Sequence, residues 1–427
     1  MESDDTKKKP VNTKALSMEI LGRSWFTRMW CVQEVGMSSP GAAKLCCGEE
    51  MIEWETFARA LSTGSVPNVP ASARDAIQIF YRLETLFSSV RASSRNPGSV
   101  GPQNLLRGFT PLAGVLEILV EIRGRASTDP RDKVFALHGI LTAFEANFPN
   151  PSYDKPAEQV FRETAEAVVR HDTRNMHILY HVSSQNRMPD LPSWAPDWSD
   201  PDVVANDADY RFWHASRYSF VDCTFSNSTD GATMLCSGKI IDKISNRARA
   251  LREELDVVDD IEVFKGWISC VKPLAKAYSS IDAFQTAFYW TLVQLPWNDD
   301  GLEIPLSKKL REVTSPEAFD AWAGVITHKG PASERPVLEG VGETFHENIR
   351  ARLSGHSLFI TEKQRMGTAW NTIQEGDVVA LLSGVEMPMI LRPVKDTYRV
   401  VTWAYIDGIM DGESWPADDH LDTITLV

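Results

Sequence analysis

The chain has 427 residues, 43% hydrophobic and 24% charged, with a formal net charge of −14 at pH 7. That length supports two or three packed units, no stretch approaches the ~18 consecutive apolar residues of a membrane span, and the acidic balance argues against a nucleic-acid surface, which needs a basic stripe to neutralise phosphates. The six cysteines are scattered apart from the adjacent Cys46 and Cys47, form no C-x-x-C pair and no readable zinc set, and fit reduced thiols in a cytoplasmic protein.

Residues 1–13, MESDDTKKKPVNT, combine charge with little apolar content and lack the apolar core of a signal peptide, so a disordered tail is expected. From Thr13 a helix is predicted to run through GRSWFTRMWCVQEVG, Gly22 to Gly36. At helical spacing Trp25, Met29 and Val32 make one apolar stripe and Phe26 and Trp30 its neighbour, so this helix should be buried over most of its girth. Arg23, Thr27, Trp30 and Glu34 would share the remaining face, with Gln33 beside them. Polar groups on such a helix either satisfy a neighbouring element or present a small polar site. In the second case Glu34, Gln33, Arg28 and Arg23 are the catalytic candidates, and Trp25 and Trp30 the binding candidates.

A short hairpin around Gly48 (42–47 with 50–54) should lead into a helix at 55–61. A loop at 62–72, a helix near 73–90, a loop at 91–104 and a strongly periodic helix at 112–123 follow. In TDPRDKVFALHGIL, Asp129 caps a helix with Pro130 at its first position, and the helix continues to Leu141, burying Val134, Phe135, Leu137 and Ile140. Arg131, Asp132 and His138 either face a pocket or, for the first two, pair locally. A further helix is expected at 157–171. His171, His177 and His181 include an i, i+4 pair, but zinc needs three or four ligands with an oriented second shell, and no Glu follows the first His as in H-E-x-x-H, so no metal is expected. In LPSWAPDWS, Pro192 and Pro196 hold extended backbone while Trp194 and Trp198 cover helix faces and Asp197 caps or pairs.

β-structure begins at 234–245, helices return between 253 and 288, 295–310 is loop-like, and two more helices precede a final module from Ser357. Five short strands there suggest a small barrel or curved sheet packed on the helical body, burying Trp370 and Trp403. Asp407, Asp411 and Glu413 read as turn groups rather than a metal cluster. The fold class is therefore α+β, a mainly helical body with a C-terminal small β-barrel or curved antiparallel sheet.

Several of these segments carry a resemblance. Arg23, Trp25, Phe26, Arg28, Trp30, Gln33 and Glu34 occupy every position of R-x-W-F-x-R-x-W-x-x-Q-E, the last motif of the fungal heterokaryon-incompatibility (HET) domain, which this stretch resembles. TDPRDKVFALHGIL, LPSWAPDWS and GDVVALLSG with AYIDGIMDGE are similar to segments that follow in such proteins, in the same order. The motifs that open the domain, S-Y-x-W-G and W-I-D-x-x-C-I-x-Q, do not occur here, so the resemblance implies a HET domain without its N-terminal part. The implied division is a tail at 1–13, the HET remnant at 14–62, a helical region at 63–200, a mixed region at 201–356 and the β module at 357–427.

P-loop, dinucleotide, α/β-hydrolase and zincin signatures are absent. The resemblance implies a regulatory or interaction protein of fungal non-self recognition and cell death. The alternatives are a small-molecule isomerase or cyclase of fungal secondary metabolism using a pocket near the tryptophan helix, a degenerate NAD-cleaving TIR-like remnant, and a paralogue without activity. Binding candidates beyond the first motif are Arg131, Asp132, Trp194, Asp197 and Trp198. No metal or cofactor is implied. Implied partners are other incompatibility proteins or a small molecule, with no nucleic acid, no membrane span and the oligomeric state left open.

Overall fold

The computed structural model describes residues 22–38, 41–62, 115–143, 147–171, 173–183, 186–201, 213–228, 231–252, 257–294, 314–330, 336–416 and 420–427. The tail expected at 1–13, the helix at 73–90 and the loops at 91–104 and 295–310 lie outside these residues. The chain falls into two compact units, one from residues 1–175, 186–191 and 197–202, the other from 176–185, 192–196 and 203–427. Among the described residues no helix is long and apolar enough to cross a membrane.

In the first unit the tryptophan motif is not one helix. A 3-10 turn at Ser24–Thr27 ends where Arg28 turns extended (ψ 140°), and α1 begins at Trp30 and runs to Gly36. The break has a tertiary cause. Ala126 donates its N–H to the Thr27 carbonyl (2.7 Å) and accepts from Met29 N–H (3.0 Å), a short parallel bridge that replaces the intrahelical bonds. The common face expected for Arg23, Thr27, Trp30 and Glu34 is therefore lost. Burial follows the new geometry: Phe26, Met29 and Val32 are buried, Trp25 is half-buried and Trp30 is 37% exposed.

The hairpin forms as its spacing predicted, β1 (Lys44–Cys47) against β2 (Glu50–Glu53), with Gly48 at φ +65° in the turn. A left-handed turn position of this kind favours glycine. Helix α2 (Trp54–Ser62) follows, and the Trp54 and Phe57 rings meet Trp25 and Phe26 in one aromatic cluster. Helix α3 (Val115–Glu121) buries Val115, Leu116, Ile118 and Leu119, the face its periodicity indicated. The helix expected to run unbroken to Leu141 divides into α4 (Asp132–Phe135) and α5 (His138–Ala143). Val134, Phe135, Leu137 and Ile140 are nevertheless all buried. Helix α6 (Ala157–His171) is as expected, with Val160, Phe161, Thr164, Ala165 and Val168 inward.

The second unit is built on one antiparallel barrel. It combines β4 (Gly231–Arg247) with β5 (His356–Thr361), β6 (Met366–Trp370), β7 (Val378–Leu382), β8 (Met389–Val394) and β9 (Thr397–Ile406). Pairing runs β4–β5–β6–β9–β8–β7 and returns from β7 to β4, which closes the ring. Strand β3 (Cys223–Ser228) and β10 (Asp422–Leu426) extend it by pairing with β4. The long β4 turns the corner from β7 to β5 through irregularities at Ile240/Asp242 and Ile244/Asn246, the usual way a strand bends to close a barrel. The five C-terminal strands expected from the sequence are present, and β4, far upstream, supplies the sixth.

Alternation along β5 ties the barrel to the helices of the same unit. Phe359 points into the barrel core with Ile244, Ile390 and Ile406. Leu358 and Ile360 point outward into a core shared with α7 (Val257–Val271), α8 (Ile281–Val293), α9 (Pro316–Ile326) and α10 (Gly340–Leu353). Both faces of β5 are thus dry, as its continuous hydrophobic burial requires. The expected burial of the two tryptophans is corrected: Trp370 and Trp403 are half-buried, flanking the buried His356 ring at 5.4 and 6.0 Å.

Candidate functional site

Candidate residues of the first unit meet where α1, the start of α4 and the segment before α6 converge. Asp132 accepts from the Trp30 indole Nε1 (3.1 Å) through one oxygen and from the Tyr153 hydroxyl (2.6 Å) through the other. That bond pushes the Tyr153 phenol up to about 12, with burial adding to it. Arg131 is gripped from both sides. Its Nε and Nη2 donate to the Asp129 carboxylate (2.9 and 2.7 Å) and its Nη1 to the carbonyls of Tyr153 (2.6 Å) and Lys155 (2.9 Å). The guanidinium also lies 5.0 Å from the Tyr153 ring centre, and its hydrogen bond holds the Asp129 carboxyl below the usual range. Asp129 accepts the Arg131 backbone N–H as well (2.9 Å), which closes a turn ahead of the helix; the expected capping role is corrected, because α4 begins at Asp132 with Arg131 as its N-cap and no side-chain cap bond. An open depression of about 580 Å³ lies beside this network, lined by residues 128–132, 156–158 and Met188. Arg131 and Asp132 line it; His138 does not.

Beneath the network sit three buried cations. The Lys133 ammonium donates to the carbonyls of Arg123 (2.7 Å) and Arg125, both in the turn that follows α3. Arg125 donates to the carbonyls of Phe26 (3.0 Å) and Arg28 (3.4 Å), and Arg123 to that of Asp197. Burial pulls Arg123 and Arg125 down to about 10 and Lys133 to about 8, the nearby Arg123 charge adding to the last. A cation can remain in such a place because backbone carbonyl oxygens, which carry partial negative charge, accept its hydrogen bonds in place of water.

The other candidates are dispersed. Glu34, Arg23 and Arg28 side chains are exposed, and only the backbone of Arg28 takes part, in the bridge and the Arg125 contact. Gln33 is half-buried against α5, where a Cβ on Gly139 would stand 3.3 Å from its amide nitrogen. Asp197 and Trp198 belong to the first unit. Both are buried; Asp197 accepts from Ser199 N–H and hydroxyl (2.9 and 2.5 Å) and Met188 N–H (3.0 Å), and the Trp198 ring lies under Arg123 at 5.5 Å. Trp194, equally buried, belongs to the second unit and packs on Phe225 of β3, a strand rather than a helix face.

His177 and His181 lie in a 3-10 segment, Thr173–His181, where three residues per turn set i and i+4 about 120° apart. His177 instead bonds Glu386 (2.6 Å), which also accepts from the Tyr180 hydroxyl (3.2 Å). Burial pushes the Glu386 carboxyl up, but the His177 contact outweighs it and holds the group below its ordinary value. Asp407 accepts from the Tyr278 hydroxyl (3.1 Å), and Glu413 from Asp411 N–H (2.9 Å). Tyr153, Lys133, Arg123 and Arg125 were missed among the candidates. Only tertiary contact brings them to the motif; their one sequence signal was the basic residue inside R-D-K.

An α+β chain whose C-terminal strands close a small barrel, joined to a tryptophan-rich segment clamped by buried cations, defines the class. Residues 332–422 match the Het-6 β-barrel domain. The chain is 22% identical over 463 residues to heterokaryon incompatibility protein 6, OR allele, of Neurospora crassa, an alignment covering 92% of this chain. It spans 64% of that relative's length. By these two comparisons the chain is similar to heterokaryon-incompatibility proteins and carries a Het-6 β-barrel domain at 332–422. No solved structure matches it.

Proposed function

We propose that this chain is a regulatory or interaction protein of fungal non-self recognition, whose engagement leads to cell death, acting in the cytoplasm through its surfaces rather than through chemistry on a substrate. The observation that supports this reading is the use made of the motif residues. All four nitrogen-bound contacts of the Arg131 side chain go to Asp129 and two carbonyls, Asp132 holds Trp30 and Tyr153 together, and Lys133 ties down the turn after α3. Each of these contacts builds the framework, and Glu34 stands exposed on α1 away from them. A general acid or base needs a partner placed within hydrogen-bond reach of a reacting group, and among the described residues these motifs converge on backbone instead.

The test is expression of the chain in fungal strains of differing incompatibility genotype, scoring growth arrest and death of fused cells. Genotype-dependent death is expected, unchanged by Glu34→Gln, with no NAD consumption by the purified protein above a buffer control. Absence of death in every genotype, or NAD turnover that disappears with Glu34→Gln, would overturn the reading.

A further inference from the structure

Strands β3 and β4 set two cysteines face to face. Their register pairs Cys223 with Cys236 and runs without a shift to Ser228 opposite Gly231. Of the other cysteines, Cys46 and Cys47 face Met51 and Glu50 across their own hairpin, and Cys31 and Cys270 lie in helices α1 and α7. Cys223 and Cys236 are both thiols in this structure, the first half-buried and the second buried.

The neighbouring hydrogen bonds fix which kind of antiparallel pair this is. Ser237 donates its N–H to the Asp222 carbonyl (3.0 Å) and accepts from Ser383 N–H (2.9 Å), so both its backbone groups point to the edge of β4 that β3 and β7 share. Backbone direction alternates along a strand, and Cys236 therefore turns its N–H and C=O to the other edge, where Ile424 of β10 faces it. Cys223 and Cys236 are thus a non-hydrogen-bonded pair, the closer of the two kinds, with Cα atoms about 4.5 Å apart. Directly opposed side chains leave a sheet on the same face, which puts both sulfurs on one side. Disulfides span Cα separations of about 4.4 to 6.8 Å, so a bridge here needs side-chain rotation and little backbone movement. The electrostatics agree with this closeness: burial first, then the charges of Cys223 and Asp222, hold the Cys236 thiol well above its ordinary value.

We propose that Cys223 and Cys236 are a redox-responsive pair that closes reversibly to a disulfide, stapling β3 to β4 where β4 leaves β3 and meets β7. Gly238 already faces Leu382 of β7, whereas β3 stands off the closed ring and, among the described residues, pairs with β4. The stapled strand also carries Phe225, whose ring packs on Trp194 at 5.2 Å, so the bond holds that contact in place as well. Cys223, the more accessible thiol, attacks as its thiolate on one sulfur of a small-molecule disulfide such as glutathione disulfide and expels one thiolate. Cys236 then gives its proton to solvent and attacks the Cys223 sulfur; the protein S–S bond forms and the second thiolate leaves. Two electrons pass from the protein thiols to the small disulfide, which becomes two thiols, and an excess of the small thiol reverses both steps. Reversible disulfides of this kind serve redox sensing in reducing compartments.

The experiment uses the full chain, equilibrated in glutathione buffers of varied oxidised-to-reduced ratio, quenched with acid, alkylated and digested. A peptide linking Cys223 to Cys236 is expected, rising with the oxidised fraction and vanishing when the small thiol is restored. Oxidation should slow amide hydrogen exchange over 222–228 and 231–237 about tenfold or more, because the closed loop limits opening of the strand pair. Cys223→Ser should abolish both effects, and Cys46→Ser with Cys47→Ser should change neither. Moving the thiol one place, by Cys223→Ser with Thr224→Cys, sends it to the other face and should give no link to Cys236, whereas chance oxidation of an unfolded chain would link either position. Absence of the linked peptide at every ratio, a link formed only in urea, an equal link from Thr224→Cys, or exchange unchanged by oxidation would overturn the proposal.

Discussion

His356 opens β5 with its ring buried between Trp370 and Trp403, and its Nδ1 donates to the Ser354 carbonyl at 3.1 Å. Burial pulls the imidazole from its ordinary 6.5 down to about 4. The folded state thus refuses a proton that the unfolded chain accepts, so between pH 6.5 and 4 the unfolded state holds more protons and stability falls as pH falls. A separation of that size is worth on the order of 3 kcal/mol, fully lost only once the pH has dropped through the folded value. His346, also buried and held down mainly by burial, acts in the same sense. The perturbation is His356→Phe, which keeps an aromatic ring between the two indoles but cannot titrate. Urea denaturation followed by far-ultraviolet circular dichroism, at a series of pH values from 7.5 to 4, should show wild type losing on the order of 3 kcal/mol more than the variant across that interval. At pH 7.5 the order reverses, the variant being about 1 kcal/mol weaker for the lost bond to Ser354. Parallel loss in both proteins would refute the reasoning, because carboxylates such as Glu386 are common to the two and cancel in the difference.

Lys133→Met keeps the length of the side chain and removes the ammonium, leaving the carbonyls of Arg123 and Arg125 without that donor; a loss of about 2 to 3 kcal/mol is expected in the same denaturation assay, and a loss below about 0.5 kcal/mol would show the clamp to be incidental. Glu34→Leu, by contrast, changes an exposed side chain on α1 and should stay within about 0.5 kcal/mol of wild type in urea, whereas a cost above 1 kcal/mol would mean that Glu34 belongs to a buried network after all.

Periodicity and turn chemistry are local properties, and what they govern was legible from the chain alone. The inward face of α6, the hairpin around Gly48 and the five C-terminal strands each follow from side chains a few residues apart. The motif order carried the resemblance to heterokaryon-incompatibility proteins for the same reason, since R-x-W-F-x-R-x-W-x-x-Q-E is a pattern in one dimension. Decisions that needed a distant partner were settled only in three dimensions. The tryptophan segment breaks at Arg28 because Ala126, almost a hundred residues on, offers its N–H and C=O at that point. Asp132 becomes the junction of a site through Trp30 and Tyr153, and Lys133 a clamp through Arg123 and Arg125, none of which its neighbours in sequence announce. The barrel closes through β4, more than a hundred residues before β5, because a sheet edge takes whichever strand the chain returns to it. Backbone hydrogen bonds must be satisfied somewhere, but a sequence window shows only the partners within it.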